Sequence, residues 1–164
     1  MHSLPSCRRP FKIVLVEPEI PPNVGAISRL CACTGASLVL CGRLTFDENH
    51  PKRKRAGLDY WDKVIKEYHD DFDSFFRQHE GTCWFLSTKV GRSLYRATFR
   101  EGDALVFGSE TRGLPPELLA RHEDYALRIP MVENIRSLNV ANAAGIAAYE
   151  ALRQIYGFSA SSQE

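Results

Sequence analysis

Three short segments hold side chains whose type and spacing suit chemistry. The first is Asn23-Val24-Gly25-Ala26-Ile27-Ser28-Arg29, which follows an apolar run and opens a helical pattern. Gly25, Arg29 and Cys33 fall at i, i+4 and i+8, so they share a face opposite much of the Val24/Ile27/Leu30 face. Small neighbours leave space beside the guanidinium, and a helix start with an arginine favours an anionic group. Alone, the segment reads equally as a surface arginine and a helix-start asparagine. The second segment is Phe107–Pro116 (FGSETRGLPP). Gly108 and Gly113 permit tight turns and close approach of a ligand, and Glu110 and Arg112 are charges placed where a strand ends. A simple turn with a surface ion pair has the same residues. The third runs from Ile129-Pro130-Met131 to Ser137-Leu138-Asn139. Ser137 suits a helix N-cap with Asn139 in the first turn, and capping alone would account for both.

Other chemistries lack their residues. There is no GxGxxG, no P-loop and no GxSxG nucleophile elbow. The histidines (His2, His50, His69, His79, His122) lie in polar or charged stretches and read as solvated side chains rather than bases. The five cysteines (Cys7, Cys31, Cys33, Cys41, Cys83) are odd in number, with no CxxC and no histidine pair at metal spacing. Reduced core thiols fit better than a disulfide scaffold or a metal site.

The elements that must position these segments follow from hydropathy. Phe11–Glu17, Ser37–Cys41, Thr82–Ser87, Ala104–Phe107 and Tyr125–Ile129 read as strands. Helical spacing predicts helices over Asn23–Thr34, ended by Gly35, and over Tyr68–Gln78, Pro115–Arg121 and Ser137–Tyr156. Pro18, Pro21 and Pro22 read as breakers between the first strand and helix. The alternation predicts an α/β fold with a mostly parallel sheet flanked by helices, and a ligand site beyond the carboxyl ends of the strands. The last helix is rich in alanine and glycine, which suits close packing inside the chain or against a partner.

The 164 residues are 44% hydrophobic and 25% charged, the balance of one globular domain. Residues 1–10 read as a flexible extension without the apolar core of a secretory signal, and 11–164 as the single domain. No apolar run approaches the roughly 20 residues that span a bilayer, so a cytoplasmic protein with no membrane partner is expected. Formal net charge is only +1. Any nucleic-acid contact must therefore come from local patches, or from patches joined by dimerisation. Lys52, Arg53, Lys54 and Arg55 form one such run, with Tyr60 and Trp61 as stacking surfaces; a solvated face reads the same way.

Together, NVGAISR, FGSETRGLP and IPM…RSLNVANAAGIAAYE resemble the three motifs of the SPOUT class of RNA methyltransferases, in the branch acting on tRNA ribose 2′-hydroxyls. EPEIPPN at Glu17–Asn23 and RAGLDY at Arg55–Tyr60 resemble its TrmL (YibK-like) members, which methylate the wobble cytidine or uridine (position 34) of leucine tRNAs. The resemblance spans about Phe11 to Tyr156. It implies a C-terminal deep trefoil knot, which no pattern rule would propose, a homodimer, and bent S-adenosyl-L-methionine bound in the knot, without a metal. It places Leu86, Gly108, Ile129 and Ser137 in the cofactor pocket, with Thr88, Glu110, Gly113, Leu114, Met131 and Leu138 close by. Arg29 matches the motif arginine assigned to catalysis, with Asn23, Glu110, Ser137 and Asn139 as the polar residues around it. The alanine-rich last helix is the candidate dimer interface.

The implied reaction is in-line displacement at an activated methyl carbon, so alignment supplies much of the rate. A protonated guanidinium has no lone pair to act as a base. The role expected of Arg29 is to stabilise the developing alkoxide, or to hold the adjacent phosphate. Methylation of another tRNA or rRNA nucleotide, or a non-catalytic RNA-binding module on the same fold, are the alternatives. The extension and Ser109, where the family often has proline, are the departures from its pattern.

Overall fold

A computed structural model describes residues 4, 9–44 and 60–158 of the chain. Six strands form one sheet: β1 (Phe11–Val16), β2 (Ser37–Cys41), β3 (Lys66–His69), β4 (Cys83–Leu86), β5 (Asp103–Phe107) and β6 (Ala126–Leu127). Their order is β3-β2-β1-β5-β4-β6, and every pairing is parallel. Among the described residues, four α-helices cover it: α1 (Pro21–Thr34), α2 (Phe72–Phe76), α3 (Pro116–Arg121) and α4 (Val140–Ile155).

The near-continuous apolar strands are what a sheet covered on both faces requires. Ile13, Leu15, Leu38, Leu40, Leu105 and Phe107 point to one core with α1 and α4. The alternate residues Val14, Val16, Val39, Phe85 and Val106 point to a second, with Phe72, Phe75, Leu118 and Leu119 of α2 and α3. Register sets the strand ends level: Phe107 pairs with both Leu15 and Leu86, and Leu86 with Leu127. The loops after β1, β4, β5 and β6 therefore leave one end of the sheet together.

Several elements differ from the sequence expectation. α1 starts at Pro21 rather than Asn23, with prolines in its first turn. The earliest helical N–H groups have no intrahelical partner, so proline costs nothing there. Gly35 ends α1 in the left-handed conformation at φ 77°, its N–H donating to Cys31 O at 2.9 Å. The helix expected over Tyr68–Gln78 is instead β3 followed by five residues of α2. Lys12 of β1 holds Glu67 of β3 at 2.9 Å, and Asp71 caps α2 by accepting from Ser74 N at 2.7 Å. The last strand narrows to Ala126–Leu127.

α4 begins at Val140, not Ser137. Its N-cap is Asn139, whose Oδ1 accepts from Ala141 N at 2.9 Å and Asn142 N at 3.3 Å. Ala144, Ala147, Ala148 and Ala151 are buried within the chain, where α4 packs on α1 and β5. These four alanines thus serve internal packing.

The histidines also depart from expectation. His79 stacks on Phe75 with centroids 4.9 Å apart and His122 on Phe85 at 4.7 Å. Burial lowers both from the ordinary value of 6.5, with Lys12 acting alongside on His79 and Arg121 on His122. His69 meets Phe75 edge-on; His2 and His50 lie outside the described residues. Cys31, Cys41 and Cys83 are buried thiols pushed up to about 12 by burial. Cys33 is exposed, and Cys7 lies outside the described residues. Of residues 1–10, Leu4 is half-buried against the core, Pro10 O accepts from Gly102 N at 2.9 Å, and 1–3 and 5–8 lie outside the described residues. No helix among the described residues is long and apolar enough to cross a membrane.

Candidate active site

Where β4, β5 and β6 end, their loops and the start of α4 enclose a cavity of about 340 Å³. Leu86, Phe107, Leu114, Ile129, Leu138 and Val140 give it apolar walls, and Asn23, Thr88, Lys89, Glu110, Arg136, Ser137 and Asn139 are polar lining residues. This volume and mixture suit a small organic ligand.

Gly108 is where the sequence most constrains this shape. A Cβ there would lie 2.1 Å from Gly113 C, 2.2 Å from Leu114 N and 2.4 Å from Gly113 O. No side chain fits, because the loop after β5 folds back onto its own start. Gly113 N donates to Ser109 O at 2.8 Å, and Gly113 takes φ 71°, a conformation glycine adopts without steric cost. The fold-back lets backbone, rather than side chains, form this part of the wall.

Beside the cavity a chain of hydrogen bonds ties three loops. The Glu110 carboxylate accepts from Glu19 N at 2.8 Å, Ile20 N at 3.1 Å and Asn23 Nδ2 at 3.1 Å. Asn23 Oδ1 accepts in turn from Asn139 Nδ2 at 2.9 Å. Glu19 answers Glu110 by accepting from Thr111 Oγ1 at 2.7 Å and Thr111 N at 3.1 Å. Asn139 also caps α4, so one side chain sets the helix start and joins it to the first turn of α1. Exposed Arg112 pairs with Glu17 at 3.2 Å, an arrangement of the surface type that contributes little.

The structure brings together all ten residues expected at the cofactor: Leu86, Thr88, Gly108, Glu110, Gly113, Leu114, Ile129, Met131, Ser137 and Leu138 all line this cavity. Asn23 and Asn139 line it too, but Arg29 does not. Arg29 projects from the exposed side of α1, with its guanidinium 5.0 Å from the centroid of the Tyr60 ring. Lys63 lies 5.5 Å from the same centroid. Tyr60 is half-buried and near both cations, whereas Trp61, expected as a stacking surface, is 4% exposed and belongs to the core. Lys52, Arg53, Lys54 and Arg55 lie outside the described residues. The cavity also uses Ile20, Lys89 and Arg136, which the sequence reading missed. Lys89 follows the end of β4, a position that could have flagged it. Arg136 lies in a loop with no regular pattern, and Ile20 in a proline-rich turn.

Comparison with known proteins gives this geometry its context. The chain is 48% identical over 155 residues to a tRNA (cytidine(34)-2′-O)-methyltransferase of Saccharophagus degradans, covering 92% of this chain and 99% of the relative. It resembles a solved structure described as giving insight into 2-OH methylation of C/U34 on tRNA, at TM-score 0.83 and 47% identity, covering 90% of this chain and 97% of that one. A SpoU methyltransferase from Streptomyces viridochromogenes, solved with the cofactor AdoMet, matches at TM-score 0.77 and 25% identity over 90% of this chain and 61% of that one. Residues 10–149 match the model of the SpoU rRNA methylase family, and the chain belongs to that family.

Proposed function

We propose that this protein is an enzyme that transfers the methyl group of S-adenosyl-L-methionine to the ribose 2′-hydroxyl of the wobble nucleotide, cytidine or uridine 34, of tRNA. The observation that carries the reading is the cavity at the strand ends, bounded by all three motif segments. Its residues suit the cofactor. The fold-back at Gly108 presents backbone where a Cβ would intrude, Leu86, Leu114 and Ile129 offer apolar surface for a nucleoside, and the polar lining can meet charged ends. When bound, the cofactor supplies an already activated sulfonium methyl.

The chain's own residues then have three tasks. The loops hold the donor in one orientation, because alignment of the attacking oxygen governs the rate. Glu110, Asn23 and Asn139 fix those loops; with the Glu110 oxygens accepting from three donors, this carboxylate acts in positioning rather than as a proton acceptor. Arg29 supplies a fixed positive charge to the sugar oxygen or its phosphate. It does so from outside the cavity wall, so substrate must bridge the pocket and the outer face of α1.

Three further features belong to this proposal. The C-terminal segment is threaded as a trefoil knot; the return of α4 onto α1 and β5, after the chain has paired β6 beyond β4, supports it. The protein acts as a homodimer through the outer face of α4, where Ile146 and Tyr149 are 37% and 55% exposed. It works in the cytoplasm, where tRNA is found.

The test is incubation of the purified protein with AdoMet and a leucine tRNA transcript, followed by nucleoside mass spectrometry. A 2′-O-methyl group at position 34 is expected. Methylation elsewhere, or none under conditions where the cofactor binds, rejects the assignment.

A further inference from the structure

The low net charge leaves RNA recognition to local surfaces, and the described residues hold one apart from the cavity and α1. We infer that the face built by Arg92, Tyr95, Arg96, Tyr125 and Arg128 is a second RNA-contact surface, on which a tRNA reaching into the cavity rests its backbone and a base. This inference rests on the tRNA reading above.

Backbone pairing assembles the face. Arg128 N donates to Arg92 O at 2.7 Å, and Leu94 N donates to Arg128 O at 2.8 Å, so the turn at 92–96 lies against the end of β6. The Arg92 guanidinium sits 5.6 Å from the Trp84 ring centroid, and Trp84 meets Tyr125 edge-on at 5.7 Å. Arg92 also donates to the backbone oxygens of Asp124 and Arg96. Its charge is thereby held at the surface rather than sampled by a loose chain. Tyr95 and Tyr125 are 59% and 47% exposed, and Arg96 is exposed as well. Exposed aromatic rings interspersed with fixed guanidinium groups are the chemistry of single-stranded nucleic-acid contact: rings stack with bases and cations meet phosphates. Exposed Glu123 and Asp124 immediately precede Tyr125 and reduce the local charge, which favours a contact led by stacking with few phosphates.

Continuity with the cavity gives the surface its partner. Ser87, Thr88 and Lys89 line the cavity immediately before the turn carrying Arg92, and Ile129 lines it immediately after Arg128. An RNA strand with one nucleotide at the pocket can therefore continue onto this face.

The double variant Tyr95→Ala/Arg96→Glu alters two exposed side chains and leaves Arg92 and its backbone partners in place. Binding of a leucine tRNA transcript is measured by fluorescence anisotropy between roughly 50 and 200 mM salt, beside methyl-transfer KM and calorimetry with S-adenosylhomocysteine. The variant is expected to bind tRNA about ten-fold more weakly, with a shallower salt dependence, a raised KM for tRNA and unchanged S-adenosylhomocysteine affinity. Wild-type tRNA affinity and salt slope in the variant overturn this surface while leaving the enzymatic reading intact. Absence of tRNA binding by the unaltered protein overturns both. The single variants Tyr95→Phe and Arg96→Lys, which keep ring and charge, are expected to restore most of the affinity, and equal loss in them overturns the inference.

Discussion

Replacing Gly108 by alanine places one methyl group against backbone on the cavity side of β5. The new Cβ would meet Gly113 C at 2.1 Å and Leu114 N at 2.2 Å, against an ordinary carbon contact of about 3.5–4.0 Å. Neither neighbour is the end of a flexible side chain, so the Gly113–Leu114 backbone must retreat by about 1 Å or more. Overpacking of this kind costs roughly 1–3 kcal/mol. The bond from Gly113 N to Ser109 O at 2.8 Å is strained with it, adding about 1 kcal/mol. For a domain of this size such a loss lowers Tm by about 5–15 °C. The displaced backbone lines the cavity, so affinity for S-adenosylhomocysteine is expected to fall about ten-fold or more, the change that about 1.4 kcal/mol of lost contact brings. Thermal melting and isothermal calorimetry on the same preparation measure both. A variant that melts with the wild type and binds S-adenosylhomocysteine equally well would show that the fold-back does not shape the site.

Four other expectations follow from the geometry. Glu110→Gln turns an amide donor toward the N–H of either Glu19 or Ile20, at a cost of roughly 2–4 kcal/mol, and Asn139→Ala removes the α4 cap at about 1 kcal/mol; unchanged melting and turnover in both would deny this chain of hydrogen bonds its role. Tyr60→Leu frees the Arg29 guanidinium and is expected to lower kcat at least about ten-fold, whereas Tyr60→Phe keeps the ring and most of the rate; equal losses in the two would show that the ring does not position Arg29. Burial lowers His79 and His122 from 6.5, so the unfolded chain gains protons first as pH falls through that value: the stability is full above it, declines below it, and levels off once the folded groups titrate. Melting temperature should drop between about pH 7 and 5.5, less so in His122→Phe, and an identical slope in that variant would contradict the histidine assignment. Alkylation of the folded protein near pH 8 should label Cys33 and spare Cys31, Cys41 and Cys83 until unfolding; peptide mass spectrometry showing equal rates would refute their burial.

Legibility from sequence tracks how each residue is used. β1, β2, β4 and β5 are buried on both faces, so each is a compact apolar run. β3 is an edge strand reading Lys-Glu-Tyr-His, and only its pairing with β2 and the Lys12–Glu67 contact give it away. Ser137 and Asn139 are both good caps; the choice between them is made by a bond from Asn139 to Asn23, 116 residues away, which local pattern cannot contain. The cavity was legible where glycines and charges sit at strand ends. Ile20, Arg136 and the Arg29–Tyr60 stack arise from tertiary placement, as does the turn of the α4 alanines toward α1.

The central claim is that the cavity after β4, β5 and β6 holds the methyl donor. A crystal structure of the protein grown with saturating S-adenosylhomocysteine tests it most directly. The adenosyl group is expected within about 4 Å of Leu86, the Gly108 fold-back and Ile129. Ligand density at any other place, or its absence from crystals of protein that binds the compound in solution, would contradict the account.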